Sequence, residues 1–265
     1  MRILIVAVNY NSYMQLNRFL ESIRASIRAC KEDLHVEVVV VDNSSAKQNV
    51  EMQPNEIFDL NVESFENLGY FGGAQTIINK YRDKSKYDYI AISNVDLKLN
   101  EDFFEQLSKY ELPKGTGWVA PSVFSLQENR DKKTLNRPTK RKFKALCLLF
   151  KYPILFKVYW NTFYKRHRSS GDVNVEGEVY SGHGAFFLLT REFFKHIHTL
   201  DFKPFLFCEE NYIAELLLEN SLKCIYVPKL KIWDEEHVST GVIDYRKMCR
   251  YNYEAHKFIY DSFYR

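Results

Sequence analysis

No run of about 18 apolar residues occurs in this 265-residue chain, which argues against a transmembrane helix. Long proline, glycine or serine tracts and internal repeats are also missing, so neither extended disorder nor a solenoid is indicated. Cysteine is scarce. The five, Cys30, Cys147, Cys208, Cys224 and Cys249, are odd in number and carry no metal-knuckle or redox-pair spacing. They read as reduced, buried thiols of a cytoplasmic protein. The apolar run after Met1-Arg2 is short, ends in Asn and lacks a small-residue cleavage site. It reads as a first strand, not as a signal peptide. The dinucleotide G-x-G-x-x-G and the P-loop with its Lys-Ser/Thr are absent too.

Acidic residues are nearly missing from one stretch. Between Arg130 and Arg168, 13 lysines and arginines accompany a single acid, Asp131, while the rest of the chain holds 24 basic and 33 acidic residues. Within it, "KFKALCLLFKYPILFKVYWNTFYKRHR" alternates lysine with bulky apolar and aromatic residues. Lys151, Pro153 and Lys157 interrupt it, so it does not span a bilayer as one helix. It fits an interfacial segment, with apolar side chains in the lipid boundary and cations at headgroups. Packing as core or covering a dimer interface are the alternatives. Nucleic acid ranks below both, because no nucleic-acid module is recognisable. A basic, aromatic helix expected from Asp244 to Tyr264 extends the same charge through Arg246, Lys247, Arg250 and Lys257.

What the chain does have is apolar content, 46% hydrophobic and 15% aromatic, enough for a substantial core. The first half alternates strand and helix patterns. "RILIVAVN" is a run suited to a strand buried on both faces. Tyr13 to Ala29 has helical spacing, with Ser12 as its expected cap. "HVEVVVVD", "NVESFE", "YDYIAIS" and "TGWVAPSVF" read as further strands, and "GYFGGAQTIINKY" as a helix. After the basic stretch, "SGHGAFFLLTREFFKHI" reads as a turn, strand and helix. A helix is expected from about Glu209, and "KCIYVPKLKIWDEEH" reads as two short strands around Pro228. Alternating strands and helices define an α/β protein with a mostly parallel sheet. Ligands of such sheets bind outside the carboxyl ends of the strands. Asn9 and Asn11, Asp42-Asn43-Ser44-Ser45, Asn67 to Gly73 and Asn94 to Asp96 should therefore converge on one rim.

Each group has a functional and a plain reading. Asp42 can accept a hydrogen bond from a pyrimidine N–H or a ribose hydroxyl, or simply make an Asx turn. Gly69, Gly72 and Gly73 permit close approach of a ligand or a tight helix start. Asp96 suits Mg²⁺ or Mn²⁺ shared with substrate phosphates, or caps a turn. Glu209 and Glu210 are helix-dipole partners, or include a general base. His237 is structural, or a metal ligand in a carboxylate-rich setting.

The order of these motifs is the specific signal. "IVAVNYNS", "VVVDNSS", "ENLGYFGGAQ", "SNVDL", "SGHGAFFLLTREFF", "FLFCEENYIAEL" and "HVSTG" follow one another from residue 3 to about 241. Together they resemble the family 2 glycosyltransferases, particularly rhamnosyltransferase-like members that build bacterial capsule, O-antigen and other surface polysaccharides. The resemblance implies one GT-A domain over 1–265, with a nucleotide-sugar-binding half (1–123), the basic insert (124–178), and an acceptor-binding half with a C-terminal helix (179–265). It implies that Asp42 contacts the base while Asn9, Asn11 and Asn67 shape the nucleoside pocket, with Val8 and Gly69 in the same donor-binding set. Asn94 stands where the first acid of the metal motif touches ribose. Asp96 is implied to reach a divalent cation, Mg²⁺ or Mn²⁺, and the diphosphate, with His237 completing the metal site. Glu210 is the implied catalytic base and Glu209 the reserve.

The implied reaction is inverting transfer from a UDP- or dTDP-linked sugar to a hydroxyl of a glycan or polyprenyl-linked acceptor. The implied place is the inner face of the cytoplasmic membrane, with contact through residues 130–168 and room for a homo-oligomer. The chain departs from the pattern at Asn94, Val95, Ala74-Gln75 and Tyr212. Two other functions compete. A nucleotidyltransferase would carry a Gly-rich loop with Arg or Lys after the first strand, where this chain reads "NYNSYMQ". A degenerate, non-catalytic interaction protein is allowed by Asn94 and Tyr212, but the joint presence of Asp96, Glu209, Glu210 and His237 weighs against it.

Overall fold

The structure, a computed structural model, describes residues 1–48, 57–81, 83–126, 130–162, 174–234 and 243–264. Strand β1 (Arg2–Asn9), helix α1 (Tyr13–Ala29) and strand β2 (His35–Asp42) open the chain. Alternation along β1 divides two helix layers. Ile3, Ile5 and Ala7 share a core with Leu16, Phe19 and Ile23 of α1. Leu4, Val6 and Val8 share the other core with Phe71, Ala74 and Ile78 of the next helix. A strand between two apolar layers needs apolar residues on both faces, hence the uninterrupted run. Ser12 does not cap α1 with its side chain. The chain turns through Asn11, at φ 53°, and the Ser12 hydroxyl donates back to the Tyr10 carbonyl at 3.0 Å.

Next come β3 (Asp59–Ser64), α2 (Tyr70–Lys80), β4 (Tyr89–Asn94), β5 (Leu97–Leu99) and α3 (Phe103–Ser108). They are followed by β6 (Thr116–Ser125), β7 (Arg130–Asp131), α4 (Lys140–Lys151) and α5 (Pro153–Thr162). The chain ends with β8 (Gly177–Val179), β9 (Phe186–Thr190), α6 (Arg191–His196), α7 (Glu209–Glu219), β10 (Lys223–Asp234) and α8 (Tyr245–Phe263).

One sheet runs in the order β3-β2-β1-β4-β9-β6-β10-β5, with β7 on β6 and β8 on β10. The first four strands are parallel, and β6 and β10 point the same way. β9 is inserted antiparallel between β4 and β6. The two strands expected around Pro228 are one strand, β10, whose register slips between Val227 and Lys231. Proline has no N–H for a ladder, and a bulge is where a strand tolerates that loss.

Side-chain amides tie α2 to the segment leading into α7. Gln75 donates to and accepts from the Phe202 backbone, both at 2.9 Å. Asn79 does the same at Leu200, at 2.8 and 3.0 Å. Phe71 lies between them, edge-on to Phe187, Phe202 and Tyr212 at 5.6–5.9 Å. Tyr212, one of the departures from the resembled pattern, is thus a core residue, and its hydroxyl accepts from Asp201 N at 2.8 Å.

The basic segment is fastened at its base by a buried carboxylate. Glu215, 1% exposed, takes two bonds from Arg137 at 2.9 and 2.6 Å and one from the Tyr180 hydroxyl at 2.8 Å. Arg137 also lies over the Tyr264 ring, 4.4 Å from its centroid. Arg137→Ala strands the Glu215 charge, so urea denaturation should show a loss of about 2 kcal/mol, more than an exposed ion pair accounts for.

Candidate active site

The site is a rim formed by the carboxyl ends of β1, β2 and β4. Asn9 pairs with Asp42 and Val8 with Asn94, so three polar strand ends arrive side by side. β9 runs the other way and therefore starts at this rim.

At the β1–β2 end, Asn9 is fully buried. Its amide donates to Asp42 Oδ1 at 3.1 Å and Ser44 Oγ at 3.2 Å, and its Oδ1 accepts from Ser12 N at 3.1 Å. Asp42 Oδ1 also accepts from Ser44 N at 3.2 Å, and Oδ2 from the Tyr13 hydroxyl at 2.9 Å. Burial opposes the Asp42 charge, but hydrogen bonds from Ser44 and Tyr13 and the nearby Lys47 outweigh it and hold the carboxyl below its usual range. The Ser44 side chain bonds the same carboxylate as its backbone N–H, so described residues engage all of its about four acceptor positions. Lys47 Nζ stands 3.8 Å from Oδ2. Asn11 is exposed; its N donates to Ser44 Oγ at 2.8 Å and its side chain to Ser45 Oγ at 3.2 Å. Tyr10, 38% exposed between them, is a flat aromatic surface that the sequence reading did not single out.

The glycines admit protein. Gly69, at φ 76°, caps α2, and a Cβ there would stand 2.1 Å from the Phe205 carbonyl oxygen. A Cβ on Gly73 would meet Val41 at 2.8 Å. Asn67, exposed, accepts from Gly69 N at 3.1 Å through its side chain, and Asn43 donates to Gly69 O at 2.9 Å. These contacts set the path of the 67–70 turn.

Beyond that turn lies an acidic centre. Asp96 sits half-buried between β4 and β5. Tyr70, the first residue of α2, donates to the Ala185 carbonyl at 3.1 Å. Burial first, and then the charges of Glu209, Asp96 and Glu210, hold its phenol proton far above the ordinary range. One hydroxyl thus senses all three carboxylates. The Ala185 oxygen also accepts from Asn94 N at 2.9 Å. Tyr70 entered the sequence reading only as part of "ENLGYFGGAQ"; a phenol beside the glycine turn was the signal that could have found it.

The two glutamates differ. They follow Phe207 and Cys208, both left-handed at φ 76° and 63°. Glu209 is 7% exposed and folds back, its Oε1 accepting from Phe207 N at 2.9 Å. Glu210 is half-buried and faces the start of β9, where a Cβ on Gly184 would come within 2.9 Å of its Oε2. Burial, followed by the neighbouring Glu210 charge, pushes the Glu209 carboxyl up to about 8. Burial also raises Glu210.

Among the described residues, no group of three His, Cys, Asp or Glu side chains converges as a metal cage. The oxygen donors at Asp96 fit instead a hard cation held by one or two carboxylates together with substrate phosphates. β10 ends at Asp234, whose register partner is Leu97, next to Asp96. His237, three residues further on, lies outside the described residues.

Comparison with known proteins agrees with this architecture. The profile of "Glycosyl transferase family 2" matches residues 4–197, and the chain belongs to that family. The fold is GT-A, shared with three solved glycosyltransferases. GalNAc-T7 with UDP, GalNAc and Mn²⁺ superposes with a TM-score of 0.57 at 12% identity, over 90% of this chain and 44% of that one. The mannosyltransferase PcManGT from Pyrobaculum calidifontis, with GDP-Man and Mn²⁺, gives 0.54 at 13%, over 90% and 58%. S. aureus TarS 1–349 with UDP-GlcNAc gives 0.59 at 12%, over 92% and 62%. The chain thus spans roughly half the length of these proteins. A comparison with curated proteins found no match.

The raised Glu209 has a thermodynamic consequence. From the ordinary value of 4.5 up to about 8 the folded state binds more protons at this carboxyl than the unfolded state. Its contribution to stability therefore falls as pH rises through that window and is level above it. Urea unfolding at several pH values should show that decline in the wild type and a flatter profile in Glu209→Gln. Parallel profiles would contradict the burial described for this side chain.

Proposed function

We propose that the chain is an inverting glycosyltransferase that moves a sugar from a UDP- or dTDP-linked donor to a hydroxyl of a glycan or lipid-linked glycan. The observation that carries this reading is the meeting of the polar strand ends of β1, β2 and β4 with Asp96 and Glu210 on one rim of a family 2 chain. Surface-polysaccharide synthesis at the inner face of the cytoplasmic membrane is the setting that accommodates such an acceptor. The basic segment 130–168, described up to residue 162, is its membrane side.

In this reading the nucleoside lies over Asn9, Asn11 and Asn67, with the Tyr10 ring against the base. Asp42 contacts the base through Oδ2, the oxygen beside Lys47, in exchange for a partner it holds here. Asn94 is at hand for the ribose and Asp96 for the diphosphate. Asp96, joined by His237, would hold Mg²⁺ or Mn²⁺. When bound, the cation supplies neutralising charge for the leaving diphosphate. The nucleotide-bound Mn²⁺ complexes of GalNAc-T7 and PcManGT support that assignment.

Glu210 takes the proton of the acceptor hydroxyl as the acceptor oxygen bonds to the anomeric carbon. The bond from that carbon to the phosphate oxygen breaks on the opposite face, and the nucleoside diphosphate leaves. Partial burial raises the Glu210 pKa, and a carboxylate with a raised pKa is a better base near neutrality than an ordinary one. Because the ionised form is the active one, transfer falls as pH drops through that raised value. Tyr70 and Gly184 position the base, the first by fixing the Ala185 carbonyl and the second by leaving room for its carboxylate.

Two measurements test the reading. Calorimetric titration with UDP, dTDP, GDP and ADP, with and without Mn²⁺, should give metal-dependent binding of one pyrimidine diphosphate that Asp96→Ala loses. A folded protein that binds none of them would favour the degenerate interaction module. Glu210→Gln should retain nucleotide binding and lose about 10²–10⁴-fold in transfer; full activity in that variant would remove Glu210 from the mechanism.

A further inference from the structure

The most exposed large apolar side chain of the described residues is Ile154, at 79%, and its neighbours are the key to it. The α4–α5 pair bends at Tyr152-Pro153 and presents Leu148, Tyr152, Leu155 and Val158, each 46–56% exposed, around the same elbow. Ile154 and Val158 are four residues apart and share one helix face, opposite the buried Phe156. On α4, Lys144 and Lys151 lie four residues before and three after Leu148 and flank it on its face. Lys140, Arg141 and Lys157 are exposed as well, and 132–162 holds no acidic residue.

The elbow is not a loose arm. Phe150 and Phe156 stack at 4.8 Å over Cys249 of α8, and the Tyr245 hydroxyl donates to the Pro153 carbonyl at 2.8 Å. An anchored element that leaves its aliphatic tips in water beside exposed lysines has the composition of an interfacial helix pair. Aliphatic tips flanked by lysines complement acyl chains beneath anionic headgroups. Resting on the lipid-linked acceptor of the proposed function, we infer that the α4–α5 elbow docks on an anionic lipid surface, its aliphatic tips among the acyl chains and its lysines at the headgroups.

The docked element also reaches the base. His256 of α8 packs between Phe143 and Phe150 of α4, with ring centroids 5.6 and 5.0 Å away. Its Nδ1 lies 3.4 Å from the Cys208 sulphur, directly before Glu209 and Glu210. Docking therefore fixes the height of the base-bearing helix above the lipid plane, where a lipid-linked hydroxyl would be presented.

Cosedimentation of the intact chain with vesicles of phosphatidylcholine, alone or mixed with phosphatidylglycerol, tests the surface. Partitioning should be at least about tenfold stronger onto the anionic vesicles and weaken with added salt. Combined Ile154→Ser, Leu155→Ser and Val158→Ser should lower it about tenfold with no change in melting temperature. Combined Lys140→Gln, Lys144→Gln, Lys151→Gln and Lys157→Gln should abolish the preference for anionic lipid. Equal partitioning to both vesicle types, no partitioning, or binding indifferent to both variants would overturn the inference. So would a dimer that the serine variant dissociates while no vesicle is bound, since the elbow would then face a second copy. Nucleotide binding, measured separately, fails only if the transferase reading fails.

Discussion

The carbonyl of Ala185 ties the start of β9 to two segments from earlier in the chain. It accepts the Asn94 N–H from the end of β4 and the Tyr70 hydroxyl from the start of α2. Both bonds are possible because β9 enters the sheet backwards. An antiparallel strand inserted between parallel ones begins where its neighbours end, so β9 starts at the rim formed by the ends of β1, β2 and β4. Without that reversal, Gly184 and the face of Glu210 would lie at the far edge of the sheet from Asp96.

The core is arranged to hold this junction steady. Phe71 follows Tyr70 directly and meets three aromatic rings drawn from β9, the 200–202 segment and α7. Aromatic edges of this kind add about 0.5–1.5 kcal/mol per pair beyond burial. The amides of Gln75 and Asn79 then read the 200–202 backbone as a neighbouring strand would. The helix that carries the glycine turn thus also anchors the approach to the two glutamates.

Periodicity made the first strands and helices legible. Strand β1 and helix α1 occupy the residues their patterns indicate, because one face or two must be apolar and the spacing says which. The GT-A architecture was visible in the order of seven motifs, none sufficient alone. What stayed hidden depends on contacts between distant segments. Nothing local distinguishes β9 as antiparallel. Pro228 marked a strand break, yet a bulge let one strand pass through it. Asp42 advertised its carboxylate, while its saturation by Tyr13, Ser44 and Asn9 is a property of three segments brought together. The glycines suggested room for a ligand, and at Gly69 the neighbour is the Phe205 backbone.

Phe207 and Cys208 set a trade-off for this chain. Two successive non-glycine residues in the left-handed region carry strain of roughly 1–3 kcal/mol each. Glycine would relieve the backbone at either position. It would also withdraw the Phe207 ring from the core and the Cys208 sulphur from His256. The turn before α7 therefore sets backbone relief against side-chain packing, and both terms are terms of stability. A search for a more robust variant gains little by placing glycine here, because what the backbone recovers the core gives up.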